Sequence, residues 1–397
     1  MAGIAALALA YVLSQFYRSF LAVLTPALSA ELGATKADLS LASGVWFIAF
    51  AVSQFAVGVA LDRFGPRRTA GLMLALGGSG GAFLFAAAGR PADVIFAMAL
   101  IGIGCAPVLM AALFIFARRY PVHRFAVLTS WLIAFGAAGN VIGAAPLANA
   151  VEAFGWRSVL VGIGALTLVV SVGLLALVRD PERPAGMAGG VGFSGFASLM
   201  RMRVLWPIIP LTAINYAPAA GIRGLWAGPY LADVYGADAL VIGEVTLAMA
   251  LAMILGSFLY GPLDTLFNTR KWVAVGGNLV CLAALVFLAA FTAAGLWTTA
   301  VALMVIGVSG MGYGLMMAHS RAFVPPHLIG RGVTLMNFFS IGGVGAMQFA
   351  TGAVITETQA AGAPEAAYSA LFGFYAATLA AALLVYLFAK DAPPRPA

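Results

Sequence analysis

Apolar stretches of roughly 20 residues, each long enough as helix to cross about 30 Å of hydrocarbon, recur along this chain and are separated by short polar turns. They predict spans at 4–27, 39–61, 69–89, 93–117, 125–148, 157–178, 206–231, 239–262, 271–293, 296–318, 332–356 and 367–389. A backbone in lipid must satisfy its own hydrogen bonds, so stretches of this length read as helices. The pattern predicts an all-α membrane protein of twelve transmembrane helices.

Composition removes the soluble alternative. The 397 residues are 63% hydrophobic and 9% charged, with a mean hydropathy of +1.02, whereas soluble domains are about 25% charged. Residues 1–17 carry no charged n-region and predict no cleavable signal. Cys105 and Cys281 fall inside separate spans, which predicts core packing with no disulfide and no metal site; no cofactor is expected.

The placement of charge predicts orientation. With the N-terminus in the cytoplasm, 16 of the 21 Lys and Arg residues fall in cytoplasmic loops, and only Lys36, Arg90 and Arg157 fall on the opposite face. By the positive-inside rule this predicts a multi-pass protein of the bacterial inner membrane with both termini cytoplasmic. The net charge of +7 then reflects topology and contact with anionic lipid, and gives no reason to expect nucleic acid as a partner.

The long hydrophilic connection, residues 179–205, divides the chain into a six-helix bundle at 1–178 and another at 206–397, and reads as a linker. An internal repeat supports the division. Asp62 after the second span matches Asp264 after the eighth, 202 residues later, while Arg124 and Leu128 echo Arg331 and Leu335 at an offset of 207. A near-constant offset implies two pseudo-symmetric bundles. Gly139 with Gly143, and Gly310 with Gly314, have the spacing that lets helix backbones approach closely.

Two basic residues remain once the loops are accounted for: Arg18 in the first span and Arg223 in the seventh, 205 residues apart. An arginine at the bilayer centre costs about 2.5–3.5 kcal/mol on insertion scales. The 14 acids all fall in loops or near helix ends, so no mid-membrane carboxylate is expected to pair with either. A guanidinium stays ionised and matches carboxylate, phosphate or sulfonate bidentately. The two arginines are therefore expected to clamp a small anion, the alternative being that each ties helices together. Tyr11 and Gln15 near Arg18, Tyr216 and Trp226 near Arg223, and Tyr313, Asn140 and Asn337 on other core helices are candidates to complete the site. For each, helix packing is an equal alternative.

The segment Gly58-Val-Ala-Leu-Asp62-Arg63-Phe-Gly65-Pro-Arg67-Arg68, after the second span, resembles the signature loop of the major facilitator superfamily, with Pro66 at a position usually basic. Gly261-Pro-Leu-Asp264-Thr-Leu-Phe-Asn-Thr-Arg270-Lys271 is similar to a degenerate second copy, which keeps the acid and the bases but loses the central glycine. The triplet Gly155-Trp156-Arg157 is a further mark of that family. The resemblance implies a twelve-helix transporter fold in which Gly58, Asp62, Arg63, Gly65, Arg67, Arg68, Asp264 and Arg270 act as a gating latch. One arginine on helix 1 and one on helix 7 is similar to the organophosphate and organic-anion (anion:cation symporter) branch. Two departures are the lack of a third basic residue in the central helices and of an arginine in the fourth span.

These readings converge on a secondary transporter, not an enzyme, carrying a small organic anion by alternating access as symporter or antiporter. A coupling proton or counter-ion is a candidate partner, and a monomer is expected. The alternative is a proton-coupled efflux pump for drugs or sugars, which would call for a membrane-embedded Asp or Glu. A transporter-like sensor is a third reading, with no added cytoplasmic domain to support it.

Overall fold

The computed structural model describes residues 2–120, 122–181, 194–325, 328–359 and 364–394. Among the sequence-predicted features, residues 182–193 of the linker and the Asp62 and Arg124 side chains lie outside the described residues. The described residues are helical and contain no strand. We number the twelve predicted spans as found: α1 (Ala2–Phe16 with Leu21–Leu32), α2 (Lys36–Phe64), α3 (Pro66–Ala86), α4 (Pro91–Arg119), α5 (Val122–Ile142 with Ala145–Phe154), α6 (Trp156–Leu177), α7 (208–235), α8 (Ala239–Leu266), α9 (Lys271–Ala290), α10 (Leu296–Arg321), α11 (Ile329–Gln359) and α12 (Pro364–Tyr386). A short helix, Ser194–Met200, precedes α7.

Nine of these are long and apolar enough to cross a membrane as they stand, and α1 and α5 join them as pairs bent by 51° and 42°. The span predicted at 206–231 is instead a succession of short segments, Ile208–Ile214, Ala217–Gly221, Ile222–Trp226 and Ala227–Tyr235. Pro210, Pro218 and Pro229 explain much of this, since each removes an N–H from the helical ladder. The first span also departs from a continuous helix: Arg18 and Ser19 bond back to Gln15 and Phe16, an i→i−3 pattern that tightens the chain before Leu21.

The chain divides into two compact units, Met1–Gly192 and Phe193–Ala397. In the first, α1 packs on α5, α2 on α4 and α3 on α6; in the second, α7 packs on α11, α8 on α10 and α9 on α12. The same three pairings thus recur six helices later, as the repeat predicts. Close approach is built into equivalent places. A Cβ added to Gly139 on α5 would land on the Val12 carbonyl oxygen of α1, and one added to Gly343 on α11 would land on the Ala213 carbonyl oxygen of α7. Gly143 lies against the Ser19 hydroxyl and Gly310 against the Ala219 methyl, while Gly314 has open space beside it.

The polar loops after α2 and α8 are held by one device used twice. Gly65 ends α2 at φ +85°, and a Cβ there would meet the Asp180 carboxylate. Pro66 opens α3, where its missing N–H costs nothing. The Arg67 N–H donates to Asp180 Oδ1 (2.8 Å) and its guanidinium Nε to the Leu175 carbonyl at the end of α6. In the second unit, the Arg270 and Lys271 N–H groups donate to Asp391 Oδ1 (3.2 and 3.0 Å), and the Lys271 ammonium donates to the Leu387 carbonyl (2.7 Å). A carboxylate after α6 or α12 therefore captures the N-terminus of α3 or α9, where the helix dipole favours negative charge. The degenerate copy keeps its left-handed turn without glycine, because Asn268 takes it at φ +47°. Arg270 also pairs with Asp264 (3.3 Å), while Arg63 lies over the Phe64 ring (5.4 Å) and Arg68 is exposed. Gly58 has nothing within 4 Å of its Cβ position, so packing there does not demand glycine.

Two outcomes are expected. Gly139→Leu and Gly343→Leu should each lower the melting temperature of detergent-purified protein by several degrees, whereas Gly162→Leu, beside open space, should not. Burial of Asp391 opposes its ionisation, but hydrogen bonds from Thr269 and from the Lys271, Ala392 and Arg270 N–H groups outweigh it and hold the carboxyl below the usual range. A depressed native pKa stabilises above the unfolded value of about 3.9 and is lost as pH falls through the native one. The melting gap between wild type and Asp391→Asn should be widest above about pH 5 and close progressively below about pH 4. A gap independent of pH would contradict this.

Candidate functional site

In the first unit, Arg18 sits in the break of α1, where the tightened backbone turns its side chain toward α2. Its guanidinium lies 5.2 Å from the Phe50 ring centre and 5.4 Å from that of Trp46. Those two rings are themselves stacked, 5.3 Å apart at 19°. Arg18 Nε, Gln15 Oε1 and Trp46 Nε1 are all buried without a hydrogen-bond partner, and no described carboxylate pairs with Arg18. The Tyr17 hydroxyl and Thr167 Oγ1, 2.9 Å apart, tie the break to α6. Tyr11 is buried with its ring against Gly136 of α5, and Asn140 is half-buried beside Gly139.

In the second unit, Arg223 is 2% exposed and lies in a wide, π-helical turn, Ile222–Trp226. Such turns inside helices recur at functional sites. Trp226 is fully buried, and its indole N–H donates to Gln348 Oε1 (2.8 Å) and Thr351 Oγ1 (3.0 Å) of α11. Gln348 in turn donates its amide to the Gly221 carbonyl (3.1 Å). Trp226 and Gln348 thus brace the segment that carries Arg223. Tyr216, Tyr313 and Asn337 are brought together: the two rings are 6.3 Å apart and the Tyr313 hydroxyl donates to Asn337 Oδ1 (2.8 Å).

Sequence reasoning missed Trp46, Phe50 and Asn215. The first two stand four apart on α2, a helical-face spacing, but spacing alone does not say that their face meets Arg18. Asn215 is 1% exposed with no partner for either side-chain polar atom, and lies next to the turn that interrupts α10 at Gly310–Gly312. A buried amide immediately before Tyr216 and Pro218 was the available signal.

Chemically, each unit offers a cation at an irregular point of its first helix: Arg18 lies against two aromatic rings, and Arg223 is buried in a segment braced through Trp226 and Gln348. No described side chains gather into a metal-ligating group. Comparisons with known proteins bear on this arrangement. A probable L-galactonate transporter of Escherichia coli (strain K12) is 25% identical over 311 residues, covering 71% of this chain and 66% of that protein. The chain therefore aligns with just under two thirds of that relative's length. A bacterial homologue of the human lysosomal transporter Spinster, inward-facing and occupied, superposes with a TM-score of 0.71 at 20% identity, over 97% of this chain and 94% of that one. A D-xylose–proton symporter gives 0.76 at 14% identity, over 98% and 97%. At these identities the likeness to solved structures is one of fold. The family model for the Major Facilitator Superfamily matches residues 7–221 and again 191–397; with both halves matched, the chain belongs to the major facilitator superfamily of membrane transporters.

Proposed function

We propose that this transporter carries a small organic anion by alternating access, as a symporter or antiporter, with Arg18 and Arg223 supplying the positive charge that recognises it. The observation that carries this reading is Arg18: a cation within a membrane span, held among aromatic rings and paired with no described carboxylate. A charge in that setting is costly unless a counter-charge arrives, and a substrate anion is one that also leaves. Arg223 is the repeat-related cation of the second unit, buried and braced through Trp226 and Gln348. The relative from Escherichia coli bears the name of a transporter for a polyhydroxylated carboxylate, which supports a carboxylate of that size. Tyr216, Tyr313 and Asn337 supply hydroxyl and amide groups suited to such a solute. The Lys and Arg asymmetry of the loops supports placement in a bacterial inner membrane with both termini cytoplasmic, the protein acting as a monomer.

In proteoliposomes, Arg18→Lys and Arg223→Lys should each reduce anion uptake by about 10- to 100-fold, equivalent to roughly 1.5–3 kcal/mol for a hydrogen bond to a charged group, while the protein still folds. Full uptake by both variants would sink the reading. A thermal-shift panel of carboxylates, sulfonates, phosphate esters, neutral sugars and cationic drugs supplies a second check, since ligands stabilise by mass action. Stabilisation by anions is expected; stabilisation by cationic drugs or sugars alone would favour the efflux-pump reading instead.

A further inference from the structure

Four polar atoms described in the first unit are buried without a hydrogen-bond partner: Gln15 Oε1, Arg18 Nε, Trp46 Nε1 and Trp156 Nε1. The first three are not scattered. Gln15 and Arg18 lie within one turn of α1, and the Arg18 guanidinium is 5.4 Å from the Trp46 ring centre. An unsatisfied buried donor costs about 1–3 kcal/mol, and native structures keep few of them. Trp46 is 1% exposed, and its indole nitrogen can only donate. Phenylalanine would stack on Phe50 and present an aromatic face to a cation, though a weaker one than indole, without that cost. An orphaned N–H beside an unpaired guanidinium is therefore matched to an acceptor that comes from outside the protein.

We infer that Trp46 belongs to the substrate site in two capacities. Its ring, stacked with Phe50, holds the Arg18 guanidinium in place, and its indole N–H donates to the same anionic group that Arg18 binds. Gln15 Oε1, as the neighbouring acceptor, suits a hydroxyl on that substrate. The inference rests on the proposed role of Arg18 in anion binding and adds a residue that charge counting alone does not reach. Contact with the stacked rings contributes about 0.5–2 kcal/mol and orders a long side chain before the ligand arrives.

The test uses the full-length protein with L-galactonate, benzenesulfonate and glycerol 3-phosphate as probes, reading affinity by calorimetry and uptake in proteoliposomes. Trp46→Phe should weaken binding of the best probe about tenfold, the equivalent of roughly 1.4 kcal/mol, and raise KM alike without lowering the ligand-free melting temperature. Trp46→Leu should lose about a further tenfold as the ring face goes, and Trp46→His, which restores an aromatic N–H, should recover part of the loss seen in Trp46→Phe. Wild-type affinity in Trp46→Phe overturns the N–H contact. In wild-type protein labelled at the indole nitrogens, one of the seven Trp resonances should move on adding the probe; seven unmoved resonances overturn the inference without any variant. If the wild type binds none of the anions, the anion reading falls and this inference with it. If it binds them and both Trp46 readouts are silent, only the inference falls.

Discussion

A guanidinium within a membrane span must be solvated by something, and the centre of this protein follows from that constraint. Hydrocarbon offers nothing, and a fixed carboxylate would settle the charge permanently. Arg18 instead lies against the faces of Trp46 and Phe50, which attract a cation through the ring quadrupole without neutralising it. Arg18 meets those faces from the break in α1. The i→i−3 bonds at Arg18 and Ser19 and the wide turn around Arg223 are the local deformations at which the two cations sit. Irregular backbone at membrane depth is tolerated where protein or a cavity covers it. Here Thr167 meets the first break, and Gln348 meets the Gly221 carbonyl beside the second.

The ends of each unit obey a different rule. Asp180 and Asp391, each following the last helix of its unit, accept N–H groups from the start of α3 and α9. Arg67 and Lys271 close the same junctions from the other side, on the carbonyls of Leu175 and Leu387. The second copy loses the central glycine but keeps the same arrangement of acid and bases. What persists is an anion at a helix N-terminus, a cation at a helix C-terminus and a left-handed residue between helices, whether glycine or asparagine. That is why the second loop holds its shape after losing the glycine by which the first is recognised.

Hydropathy makes the twelve stretches legible, because insertion into lipid depends on summed apolarity. It cannot register the breaks: an extra residue in a turn of α7, or a tightened turn in α1, changes hydrogen-bond partners without changing composition. Arg18 and Arg223 were legible as charges for which no loop accounted. Trp46 was not, since nothing in a run of apolar residues says which face of α2 turns toward Arg18. Asp180 and Asp391 were hidden differently. Counted among loop acids, they carried no signal, yet Arg179-Asp180-Pro181 and Lys390-Asp391-Ala392-Pro393 repeat the same order of base, acid and proline 211 residues apart. A search for paired loops, in place of paired helices, would have found them.

The two rules together explain why aromatic confinement suits Arg18 better than an ion pair. Carboxylates tie the helix ends, while Arg18 lies at a break in α1 with no described carboxylate beside it. A carboxylate partner there would have to be displaced by every incoming anion, and breaking a buried pair typically costs 3–5 kcal/mol. That cost would be subtracted from the binding energy of each substrate. Aromatic faces restrict the side chain's freedom without neutralising it, so on the proposed reading its attraction for an anion is kept. The orphaned N–H of Trp46 is then no defect in packing. On the proposed reading it is a donor of the same kind as the guanidinium, in a site that would be well satisfied only when filled.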